Sequence, residues 1–87
     1  VDLAALAAIA SSYLDKPVPG QTLVLGEVGL AGEVRAIGNM ETRLAEARKM
    51  GFTRCIAPGG SLKRIKHPED IELVGVLDVE KALEVLF

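Results

Sequence analysis

The sequence predicts an α/β domain in which a mixed, partly parallel sheet carries packed helices. Short β-rich runs alternate with amphipathic helical stretches through the second half of the chain, the pattern of a βαβ unit. The composition is 49% hydrophobic and 25% charged, the balance of a folded chain rather than a disordered one. With 87 residues there is room for a single domain, 1–87, and a modest core.

Each element has its own signal. Residues 2–14 read as a helix that is apolar almost all round, with Leu3, Leu6, Ile9, Tyr13 and Leu14 set among alanines, so other structure is expected to enclose it. Ser11 and Ser12 near its end are expected to bond back to carbonyls of the preceding turn. Pro17 and Pro19 stop the helix and turn the chain. Residues 22–28 are β-rich, residues 33–37 form a shorter strand, and Gly29-Leu30-Ala31-Gly32 between them suggests a hairpin. Asn39 is the expected N-cap of a helix over 39–50, with Met40, Leu44, Ala47 and the stem of Arg48 on one face and Gly51 as its stop. Residues 53–57 read as a strand halted by Pro58-Gly59-Gly60, 61–65 as a short helical turn, and 71–76 as a further strand. Asp78 then caps a last helix whose inner stripe is Val79, Ala82, Leu83 and Leu86. No internal repeat or low-complexity segment interrupts this order.

Several function classes are disfavoured by composition. The aromatic residues are Tyr13, Phe52 and Phe87, too few for a platform on which single-stranded bases stack. Cys55 lies in an apolar run and reads as a small buried hydrophobe, and a single cysteine cannot form an internal disulfide. With His67 the only histidine, no cluster has metal-ligand spacing, so no metal site is expected. His67, before Pro68 in a polar loop, reads as a surface residue. The cysteine usage suits a reducing, cytoplasmic setting. The apolar stretch 3–10 follows no basic segment and is too short to span a bilayer, so no membrane partner is expected. The abrupt start at Val1-Asp2, without an initiator methionine, reads as a fragment of something longer.

No active site assembles from the motifs. Pro58-Gly59-Gly60-Ser61 with Lys63 lacks the Gly-Lys-Ser/Thr ending and the spacing of a phosphate loop; a turn before a helix explains it. Ser11 and Ser12 lack the glycine-flanked elbow of an exposed nucleophile. Glu27 and Glu33 flank the hairpin and read as solvated acids rather than a catalytic pair.

Charge is the strongest signal outside any family likeness. From Arg35 to His67 there are eight basic residues (Arg35, Arg43, Arg48, Lys49, Arg54, Lys63, Arg64, Lys66) and two acidic ones (Glu41, Glu46), a net of +6. The remainder holds two basic and ten acidic residues, a net of −8. Three readings stay open: a face for phosphate backbones, a charged interface between subunits joined head to tail, or solvated outer faces.

One resemblance covers essentially the whole chain. Lys16-Pro17-Val18, the glycine-spaced run Gly26-Glu27-Val28-Gly29-Leu30-Ala31-Gly32-Glu33-Val34-Arg35-Ala36-Ile37-Gly38, the helix over 39–50, Ile56-Ala57-Pro58 and Val76-Leu77-Asp78-Val79 resemble the proteolytic domain of Lon-type ATP-dependent proteases. That likeness implies a two-layer mixed sheet with packed helices, the ribosomal protein S5 domain 2-like fold, here without the family's first strands. It also implies a serine activated by a lysine. Matched by motif, the serine would fall immediately before Val1, and the lysine position holds Glu41, where the family's Gly-Gly-Leu-Lys-Glu-Lys reads Gly38-Asn39-Met40-Glu41-Thr42-Arg43. An ionised carboxylate is acceptor-only and cannot act as that lysine does, so no catalytic residue is assigned.

The 26–35 segment and the 40–51 helix are also similar to the C-terminal domain of the RadA (Sms) family of bacterial repair and recombination ATPases. This second likeness implies a non-proteolytic ring scaffold that contacts DNA within a hexamer acting on branched intermediates. ATP with magnesium, and zinc, would be held by other domains of the parent chain. Arg35, Arg43, Arg48, Lys49, Lys63, Arg64 and Lys66 are then the candidate phosphate contacts. The alternatives are an active Lon-family serine–lysine peptidase and the Lon-like domain of a magnesium-chelatase-like or other AAA-type ATPase.

Overall fold

The computed structural model describes residues 1–66 and 68–87, without the side chains of Ser61, Lys63 and Arg64; the expectation for His67 lies outside the described residues. In chain order the elements are α1 (Leu3–Leu14), β1 (Thr22–Val24), β2 (Glu27–Val28), β3 (Val34–Arg35), α2 (Met40–Lys49), β4 (Arg54–Pro58), a 3-10 helix (Gly59–Arg64), β5 (Glu72–Val76) and α3 (Val79–Leu86).

Local chemistry fixes most of these boundaries. Alanine and leucine favour the helical backbone in α1, and Asp2 starts it by accepting a hydrogen bond from the Ala5 N–H at 3.1 Å. Asp15, left-handed at φ 55°, ends it, its N–H donating to the Ser11 and Ser12 carbonyls. Asp78 starts α3 in the expected way, its Oδ1 accepting from the Lys81 N–H at 2.8 Å. Gly51, at φ +93°, follows α2 as expected.

The sheet β1-β4-β5 is wholly parallel, with β4 central; Cys55 pairs with Leu23 on one side and Leu73 on the other. Residues 55–58 are buried throughout, as a strand covered on both faces requires. One face packs Val24, Ile56 and Val76 against Leu3 and Ala7 of α1 and Ala82 and Leu86 of α3. The other packs Leu25, Cys55 and Ala57 against Met40, Leu44 and Ala47 of α2, with Leu62 and Ile65 at its margin. The α/β class and mixed pairing are as expected. The helices divide between both faces of the parallel sheet, which adds a layer to the two anticipated.

Four local expectations are corrected. The run 22–28 is not one strand. It breaks at Gly26, where φ is +145° and a Cβ would lie 2.8 Å from Val34 Cγ1. The chain thereby leaves the parallel sheet and forms a separate hairpin, with Glu27 opposite Arg35 and Val28 opposite Val34. Both hairpin edges are tied to the domain. Val28 N–H donates to Val1 O on one side, and on the other Val34 N–H donates to Leu77 O and Val79 N–H to Gly32 O.

Asn39 is not a side-chain cap. It is left-handed at φ 61° and makes no capping bond, so its value is conformational. The helix α1 is not enclosed either: Leu3 and Ala7 are buried, but Ile9 is 67% and Tyr13 88% exposed. A helix that is apolar all round gives no periodic contrast to show which stripe faces the sheet. Ser11 Oγ donates forward to the Lys16 carbonyl, across the helix end, rather than back into the preceding turn.

Candidate functional site

Gly38 and left-handed Asn39 aim the chain into α2, so Glu41 falls in the helix's first turn, exposed and without an ion-pair partner among the described residues. Its carboxylate can accept a proton but cannot supply the amine of a serine–lysine dyad. The first residues of the chain lie beside the hairpin: Asp2 bridges to Glu27 in antiparallel fashion, and Val28 N–H donates to Val1 O.

The basic candidates separate into paired and unpaired groups. Arg35 on β3 lies on the same side of its strand as Glu33, two residues before it, and Nη2 meets Glu33 Oε2 at 2.8 Å. Glu33 also accepts from the Ala31 N–H at 3.0 Å, and these bonds, the Arg35 hydrogen bond first, hold its carboxyl below the usual 4.5. Arg48 Nε lies 3.0 Å from both carboxylate oxygens of Asp70, tying α2 to the loop before β5. Arg54 Nε approaches Glu72 Oε1 at 3.4 Å, a distance and geometry that leave the nitrogen without a hydrogen bond. These three carboxylates all come from outside the 35–67 block, so the fold cancels part of its +6.

Arg43, Lys49 and Lys66 form no ion pair with any described residue, and all three are exposed. Arg43 and Lys49 border different grooves. With Met40, Leu44 and Ala47 facing the sheet, helical geometry puts Arg43 and Arg48 on opposite flanks of α2. Arg43 borders a shallow groove of about 270 Å³ with Leu23, Leu25, Met50 and Phe52. Arg48 and Lys49 border an open cleft of about 620 Å³ with Pro68, Glu69 and Asp70. The side chains of Lys63 and Arg64 lie outside the described residues.

Sequence reading missed Asp70 and Glu72 as counter-ions because they lie 22 and 18 positions from their arginines and sit in the acidic remainder. Glu33 could have been found, since residues two apart in a strand share a face. Cys55 is buried as expected, and burial pushes its thiol up to about 12, so it stays protonated and unreactive near neutrality. Among the described residues, no three His, Cys, Asp or Glu side chains converge as a metal site would need, and no helix is long and apolar enough to cross a membrane.

The family model of the Lon protease (S16) C-terminal proteolytic domain matches residues 2–86. DNA repair protein RadA of Streptococcus pyogenes is 47% identical over 87 residues, that of Streptococcus pneumoniae 44% over 87, and that of Bacillus subtilis 45% over 83. These alignments take in 100%, 100% and 95% of this chain but 19%, 21% and 18% of the relatives, so the chain spans about a fifth of their length. With residues 2–86 matched, the chain belongs to the family of the Lon protease (S16) C-terminal proteolytic domain.

Proposed function

We propose that this chain is the Lon-like domain of a RadA-type bacterial DNA repair and recombination ATPase, a non-proteolytic scaffold for self-association that also contacts DNA. The observation that carries this reading is identity of 44–47%, along the whole chain, to proteins named DNA repair protein RadA. Its silence as a protease draws on Glu41 at the position matched to the family's lysine. The scaffold role draws on the exposed apolar side of α1, where Ile9, Tyr13 and Leu14 lie on a helix without a single charged residue. The DNA role draws on Arg43, Lys49 and Lys66, candidate cations without an ion pair among the described residues, and on Lys63 and Arg64. In this reading the parent forms a hexameric ring on branched DNA in the cytoplasm, and ATP with magnesium, and zinc, bind in its other domains. An active peptidase is favoured only by the activity in the family's name and needs a base other than lysine at Glu41.

The test is DNA binding by the full parent chain across a salt series. Each true phosphate contact lowers the log–log salt slope by about one when neutralised. Lys63→Ala with Arg64→Ala should therefore reduce both slope and affinity; an unchanged slope and affinity would remove this loop from the DNA surface. Sedimentation of the parent with and without residues 1–87 tests the scaffold, which predicts smaller assemblies on deletion.

A further inference from the structure

The cleft between α2 and the loop before β5 places two adjacent cations in different electrostatic situations. Arg48 is held by Asp70, its Nε equidistant at 3.0 Å from both carboxylate oxygens. Lys49, the next residue and on the same cleft, has no ion-pair partner among the described residues. Glu69 is the remaining acid of the cleft and pairs with neither. We infer that α2 contacts the phosphodiester backbone through Lys49 and not Arg48, and that Asp70 acts as a built-in restraint on DNA binding by keeping Arg48 neutralised. This rests on the DNA-contact reading above and says which residues of that surface carry it.

The physical ground is counterion release. The salt dependence of DNA binding comes from protein cations replacing ions condensed on the phosphates. An arginine already matched by a carboxylate brings no net positive charge to a phosphate. Asp70 is bound through Arg48 Nε, so a phosphate taken by the remaining guanidinium N–H groups would face the Asp70 carboxylate at close range. Lys49 holds no carboxylate in this way among the described residues. The side chains of Arg48 and Asp70 are 57% and 61% exposed, so either can be changed without disturbing the core. An exposed pair of this kind contributes little to stability, which leaves it free to act on binding.

The same reasoning applies to Arg35, held by Glu33 on the hairpin. Arg35 therefore joins Arg48 among the cations that do not report on phosphate, although both lie in the basic block of the sequence.

The experiment is a salt series on the full parent chain with a mixed-sequence DNA duplex, with thermal melting of each variant as the folding control. Lys49→Ala should lower the slope by about one, while Arg48→Ala leaves it unchanged. Asp70→Asn should raise the slope by about one and tighten binding, and adding Arg48→Ala to Asp70→Asn should abolish that gain. Glu69→Gln distinguishes release of Arg48 from a general change of field, because its effect should survive Arg48→Ala. The inference is overturned if Arg48→Ala lowers the slope as Lys49→Ala does, or if Asp70→Asn leaves the slope where it was. If Lys63→Ala with Arg64→Ala shifts the slope but Lys49→Ala does not, this inference alone falls; if all of them are silent, the DNA-contact reading falls with it.

Discussion

At Gly29 a Cβ would lie 2.4 Å from the carboxylate of Glu33, so a side chain there would displace that carboxylate from the turn. That carboxylate folds back over the turn to take the Ala31 N–H and the Arg35 guanidinium, so one acid closes the loop and holds the first basic residue of the block. The native state favours its charged form. A depressed carboxyl stabilises fully above its unfolded value and loses that contribution as pH falls through the folded one. Melting temperatures taken from about pH 6 down to about pH 3 should therefore fall more steeply for the native sequence than for Glu33→Gln. Parallel curves would show that the carboxylate has no preference for the folded hairpin. Asp70 likewise pairs with an arginine of the block, Arg48, from a different part of the chain. Neither carboxylate has a motif of its own, and the sequence shows them only as members of an acidic remainder.

Among the elements, those legible in advance were the ones with strong local signals. The last helix announced itself through Asp78 and the apolar positions Val79, Ala82 and Leu86, although Val85 rather than the expected Leu83 completes the inner stripe; α2 did so through its own stripe and Gly51. The central strand was visible as an apolar run stopped by Pro58. Misreadings came where local signals were uniform or ambiguous. Residues 22–28 are β-prone apart from Gly26, and it is there, at φ +145° and against Val34, that the chain breaks from the parallel sheet into the hairpin. Asn39 has the right type for a cap but a left-handed backbone, a state that short polar residues and glycine tolerate. The two caps should thus respond oppositely. Asp78→Ala should cost about 1 kcal/mol through loss of the bond from Lys81 N–H. Asn39→Gly should be neutral or slightly stabilising, since glycine adopts that backbone without strain. Urea denaturation checks both, and equal destabilisation would mean that the Asn39 side chain does more than permit the turn.

For the whole molecule, the glycine pattern over 26–38 was enough to indicate the family, and the comparisons place the chain in it from residue 2 to residue 86. The likeness to RadA read from the hairpin and α2 extends over the entire chain in the relatives compared. The candidate surface was less legible. The +6 block is continuous in sequence, but α2 sends Arg43 and Arg48 to opposite flanks, and acids from residues 33, 70 and 72 return to neutralise three of its arginines. Charge counted along a chain carries no information about which carboxylates fold back onto it. The proposal that this chain keeps a protease fold without its protease rests on Glu41 at the matched lysine position. It is tested most directly by incubating the full parent chain with an unfolded protein substrate, with and without ATP and magnesium. No peptide release is expected, and none when Glu41 is changed to Ala. Peptide release that Glu41→Ala abolishes would contradict it, by showing that this carboxylate serves as the base of an active peptidase.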